Sequence, residues 1–135
     1  MHGFRTTVHD NRPNAPLLYL SVIITTVVDS ATAAEYVAAF IAAQAATSLR
    51  LTLGELGYPQ ESTQITCDNV CAVGIANNSF TQKRSKTIDM RYHWLRDQIN
   101  VGNFSINWKP GSENLADFFT KAHSVEHHLK MISLY

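Results

Sequence analysis

The chain has 135 residues, 45% of them hydrophobic and 16% charged, and its 11 Lys and Arg are balanced by 11 Asp and Glu. Such a length supports one domain with its own core, and such a composition excludes a disordered tail, which carries fewer apolar residues and more net charge. A formal net charge of zero also excludes tight nucleic-acid binding by diffuse phosphate attraction, because counterion release needs an excess of Lys and Arg.

Residues Gly3 to Val8 can form a brief edge strand, followed by a turn-rich loop from His9 to Pro16 that contains Asp10, Asn11, Pro13 and Asn14. Leu17 to Ser21 and Ile23 to Val28 are rich in β-branched residues and read as a strand broken between its halves. The same run is too short and too interrupted by Ser21, Thr25 and Thr26 to span a bilayer, and Met1 to Arg5 lacks an adjacent apolar core of signal-peptide type. A soluble intracellular protein with no membrane partner is expected.

Ala31 to Leu56 places Tyr36, Val37, Phe40, Ile41, Leu49 and Leu53 on an Ala background, the pattern of an amphipathic helix of high propensity, ended by Gly54 and Gly57-Tyr58-Pro59. Gln64 to Cys67 is a short strand, and Asp68 or Asn69 can cap the helix that runs on through Ala76. After a polar, basic loop from Ser79 to Lys86, a helix begins at Thr87 with Ile88, Tyr92, Leu95 and Ile99 on its inner face, and Gly102 stops it. Phe104, Ile106 and Trp108 alternate with Ser105, Asn107 and Lys109, the period of a half-buried strand, and Pro110-Gly111 turns the chain into a last helix. No internal repeat is visible.

Cys67 and Cys71 fit neither a Cys-x-x-Cys redox site nor a four-ligand zinc site, and both are expected to be buried thiols. His93 is expected to be packed and hydrogen-bonded, and His123, His127 and His128 to lie on a polar helix surface rather than to bind metal. Trp94 and Trp108 are expected in the core, although an exposed indole could stack on a base.

Three isolated carboxylates fall at element boundaries: Glu35 in the first turns of the Ala-rich helix, Asp68 at the end of the short strand, and Asp117 in the short helix near the C-terminus. Taken singly, each is an ordinary surface acid, and Asp68 could serve only as a cap. Their phrases, Ser30-Ala31-Thr32-Ala33-Ala34-Glu35-Tyr36, Thr66-Cys67-Asp68-Asn69 and Asn114 to Lys121, together with Lys86-Thr87-Ile88-Asp89-Met90-Arg91-Tyr92-His93-Trp94, resemble the RNase H domain that ends the polyprotein of copia-type retrotransposons.

That resemblance implies an α/β fold, an RNase H-like mixed sheet flanked by helices, over residues 1–121, with 122–135 a polar and helical tail. It implies cleavage of the RNA strand of RNA–DNA hybrids during reverse transcription, with two Mg²⁺ ions held by Glu35, Asp68 and Asp117. Lys83, Arg84, Lys86 and Asn69 would contact the nucleic acid, and the upstream reverse transcriptase part of a polyprotein would be a partner. The setting would be cytoplasm, a virus-like particle or the nucleus.

The family's acids run Asp, Glu, Asp, Asp, and no residue here matches the first. Asp10 lies among loop-forming residues and too close to Glu35 to fit two strands and a hairpin between them. The expectation is therefore an N-terminally truncated domain lacking the first, central strand and inactive alone. A non-catalytic RNase H-like remnant, acting as a binding module or without function, is the alternative. Ala33 and Asp29 also depart from the family's usual residues. An integrase or transposase of the same fold superfamily would run Asp, Asp, Glu, unlike the order here.

Overall fold

A computed structural model describes residues 30–77, 89–114 and 122–132, with 20, 23, 24 and 116. In chain order these form α1 (Ala31–Glu55), β1 (Thr63–Cys67), α2 (Val70–Ala76), α3 (Asp89–Asn100), β2 (Phe104–Trp108), a 3-10 turn (Gly111–Glu113) and α4 (Val125–Ile132). The mixed α/β class is as expected. Among the described residues the sheet consists of β1 and β2 alone. Most of the Leu17 to Val28 segment, and the start of the third helix at Thr87 and Ile88, lie outside them.

The two strands run parallel, with Thr63 opposite Phe104, Ile65 opposite Ile106 and Cys67 opposite Trp108. Parallel neighbours need a long crossover, which α2 and α3 provide here. Ile65, Cys67, Phe104 and Ile106 are all buried and join one core with Tyr36, Ala39, Ala43 and Ala46 of α1, Ala72, Ile75 and Ala76 of α2, and Leu95 of α3. Ala on both α1 and α2 lets the two backbones approach closely, at little side-chain entropy cost.

α1 starts where Ser30, in extended conformation, accepts a hydrogen bond from the Ala33 N–H at 3.1 Å. It ends in a Schellman motif: Gly57 at φ +88° lets its N–H reach the Gly54 carbonyl while the Tyr58 N–H reaches Leu53. α3 ends the same way at Gly102, φ +86°, with Gly102 N–H on Ile99 and Asn103 N–H on Gln98. By length and composition α1 could cross a bilayer, yet its Ala33-to-Ala46 face packs into the core.

Beyond Ala46 no α1 residue is buried, which is why Leu49, expected on the inner stripe, is exposed. Arg50 in that outer part donates to the Gln60 and Glu61 carbonyls and to Thr63 Oγ1, tying the helix end to the start of β1. Its guanidinium also sits over the Phe104 ring, 5.5 Å from the centroid.

Aromatic contacts join α1 to α3. The Tyr36 hydroxyl donates to the Tyr92 carbonyl at 3.1 Å with the rings 5.5 Å apart, and Phe40 meets Trp94 edge-on at 5.3 Å. Trp94 is thus packed against the core as expected. Three expectations need correction. Trp108 is 49% exposed because it sits at the last position of β2 and its indole N–H is drawn to a backbone carbonyl at the end of β1. Cys71 is exposed because the first turn of α2 turns it away from the side on which Ala72 and Ile75 are buried. His93 is exposed with its ring edge-on to Tyr92, since Tyr92 and Leu95 take the inward positions.

Candidate metal centre

β1 carries its chemistry at its C-terminal end. Alternation turns Ile65 and Cys67 inward, and the chain bends at Asp68 before Asn69 opens α2. The choice between Asp68 and Asn69 as cap is settled for Asn69, whose Oδ1 accepts from the Ala72 N–H at 3.0 Å. Asp68 is not needed as the cap, and its carboxylate stays half-buried beside the strand end.

Glu35 reaches the same place from the first turns of α1, which the contacts of α1 with β1 and α2 hold against the strand end. The ligand atoms of Glu35, Cys67 and Asp68 all lie within 4.8 Å of one another. Two carboxylates therefore converge from separate elements. Asp117, Lys83, Arg84 and Lys86 lie outside the described residues, as do Asp10 and Asp29.

Cys67 precedes Asp68 directly and shares the inward face of Ile65, a position that the strand alternation makes readable from the sequence. Burial pushes its thiol above the ordinary range, with the negative charges of Glu35 and Asp68 adding to the shift and a backbone hydrogen bond from Asn69 opposing it. Without a metal the thiol is neutral at physiological pH.

The rim is made by β2. Trp108 Nε1–H donates to the Asp68 carbonyl at 3.2 Å and the Lys109 N–H to the Cys67 carbonyl at 3.0 Å, so the ladder continues to the edge of the site. Asn77 donates its side-chain amide to the Ile106 carbonyl at 3.1 Å, fixing the end of α2 to the same strand.

Two carboxylates suit Mg²⁺, which takes hard oxygen ligands at about 2.0–2.1 Å and fills its remaining positions with water. Ligand atoms on opposite sides of such an ion are about 4 Å apart, a spacing comparable to the 4.8 Å within which this cluster's ligand atoms lie. Glu35 and Asp68 would hold that ion.

The chain is 36% identical over 92 residues to the retrovirus-related Pol polyprotein from transposon TNT 1-94 of Nicotiana tabacum. The match covers 68% of the chain and 7% of that polyprotein. No protein-family model matches, and no solved structure does. The similarity supports an origin in a copia-type retrotransposon polyprotein.

Proposed function

We propose that this retrotransposon-derived chain is an RNase H-like unit, of a lineage that cleaves the RNA strand of RNA–DNA hybrids during reverse transcription. One observation carries the proposal: Glu35 and Asp68, far apart in sequence, bring their ligand atoms within 4.8 Å at the end of β1. They are two of the acids that the family phrases mark. Asp117 is the third.

Bound Mg²⁺ supplies charge stabilisation at the phosphoryl and leaving oxygens and lowers the pKa of a bound water. The chain's own residues set the geometry. Asn69 fixes the turn that carries Asp68, and α1 holds Glu35 against it. Trp108 offers a half-exposed indole face beside Asp68, suited to stacking on a sugar or base. Lys83, Arg84 and Lys86 would meet phosphates of the hybrid, and the 2′-hydroxyl would distinguish its RNA strand. The upstream reverse transcriptase part of a polyprotein would deliver that hybrid.

The second reading is a non-catalytic remnant, acting as a binding module or without function. One assay separates the two. Labelled RNA–DNA hybrid is incubated with the chain and Mg²⁺, with and without a strand-forming peptide that carries an Asp. Cleavage of the RNA strand only with the peptide, abolished by Asp68→Asn, supports the hydrolase lineage. Absence of cleavage in both arms, with the peptide shown to bind, favours the remnant.

A further inference from the structure

We propose that α4 is a self-association surface, which pairs antiparallel with α4 of a second copy of this chain. The inference rests on the direction in which that helix turns its apolar side, and hybrid cleavage plays no part in it.

Ser124 sets the start of α4: its Oγ accepts from the His127 N–H at 3.3 Å and its carbonyl from the His128 N–H at 2.9 Å. With the first turn fixed, the helical period brings Val125, Leu129 and Ile132 onto one side of the helix. They are 77%, 62% and 53% exposed. The covered side is the opposite one, where Met131 is buried and His127 half-buried. A surface helix ordinarily buries its apolar stripe and shows its polar face to water. α4 does the reverse.

A second copy suits this face because the face is complementary to itself. In an antiparallel pair, Val125 of one copy lies at the level of Ile132 of the other, with the two Leu129 side chains between them. Glu126 and Lys130, both exposed, share one flank of the stripe, and reversing the helix direction brings each Glu126 beside the Lys130 of the other copy. The two-fold rotation makes that contact twice. A parallel pair would instead set the two Glu126 carboxylates at the same level. A lipid surface is a poorer match, because the single Lys of α4 is balanced by its single Glu and no basic face accompanies the stripe. Three apolar side chains per copy make a small contact, in the class below about 1,200 Å² that serves transient association.

The test is sedimentation equilibrium of the whole chain over a concentration series reaching about 1 mM, where even weak pairs are populated. A monomer–dimer equilibrium is expected, and Leu129→Gln should move it to at least about tenfold higher concentration. Leu129 is exposed, and circular dichroism reports whether the variant keeps its helices. The decisive arm reverses the charges. Glu126→Lys alone and Lys130→Glu alone each place like charges together, so each should remain monomeric where the unaltered chain dimerises. An equimolar mixture of those two variants should dimerise again, because each copy then meets the opposite charge. A chain that is monomeric throughout overturns the proposal, and so do dimers that survive Leu129→Gln or charge variants that fail to recover on mixing. A monomeric chain that binds vesicles of anionic lipid through Leu129 would assign the face to a lipid surface and overturn it too. No readout uses nucleic acid or metal, so failure here leaves the hydrolase reading untouched.

Discussion

The indole N–H of Trp108 donates to the carbonyl of Asp68 at 3.2 Å, which ties the last residue of β2 to the acid at the end of β1. The ring itself stays half-exposed. One side chain thus steadies the backbone under a candidate ligand and presents an aromatic face next to it.

If that face meets nucleic acid, Trp108→Ala should weaken hybrid binding by about 1–3 kcal/mol, the range for one base–aromatic stack. Trp108→Phe keeps a face and loses the N–H, so it should retain most of the affinity. Fluorescence anisotropy with a labelled hybrid reads both. Equal affinity for the alanine variant and the unaltered chain would remove Trp108 from the interface.

Asn69 was expected both as a possible cap and as a nucleic-acid contact, and its Oδ1 is occupied by the Ala72 N–H. Asn69→Ala should cost about 1 kcal/mol of stability, and Asn69→Asp close to nothing, because Asp caps equally well. Urea unfolding of the three proteins checks this. A neutral alanine substitution would show that α2 does not depend on its cap.

Gly57 and Gly102 close the two Schellman motifs at φ +88° and +86°, and a Cβ at either would meet no atom within 4 Å. Alanine there should cost roughly 1–2 kcal/mol through backbone conformation alone. Each variant should therefore unfold at lower denaturant with an unchanged slope. Full stability in Gly102→Ala would mean that α3 ends some other way.

Burial, aided by Tyr92 and opposed by Arg96, raises the Tyr36 phenol well above its ordinary value of 10.0. The folded phenol then keeps its proton where the unfolded one loses it. Its contribution is fully present below about pH 10 and disappears as pH climbs toward the folded value. Tyr36→Phe should start lower, having lost the hydroxyl bond to the Tyr92 carbonyl, yet decline less between neutral and strongly alkaline pH. Parallel declines in a pH series of urea midpoints would contradict the burial of this phenol.

Much of this arrangement was legible in the sequence because it rests on local rules. The Ala-rich helix with its glycine stop, the strand at Gln64 to Cys67, the helix through Ala76, the Gly102 stop and the alternating Phe104 to Trp108 strand all follow from periodicity and turn chemistry. What failed was set by tertiary surroundings. Trp108 takes the next inward position of the strand alternation, yet its exposure is decided by standing at the strand's end, where its indole N–H bonds the Asp68 carbonyl. Cys71 and His93 differ from expectation because the facing direction of one helical residue depends on which neighbours take the core. For the site, family phrasing marked Glu35 and Asp68, but only the three-dimensional path of β1 puts the Cys67 sulfur among their oxygens.

We propose that Glu35 and Asp68 together hold a hard divalent cation, which Mn²⁺ binding followed by electron paramagnetic resonance can test. A bound Mn²⁺ signal is expected that Glu35→Gln and Asp68→Asn each weaken by about tenfold or more, and that Cys67→Ser leaves nearly unchanged because Mn²⁺ prefers oxygen. The double carboxylate variant should show only free ion. Mn²⁺ bound with undiminished affinity after Asp68→Asn would show that Asp68 is not a ligand.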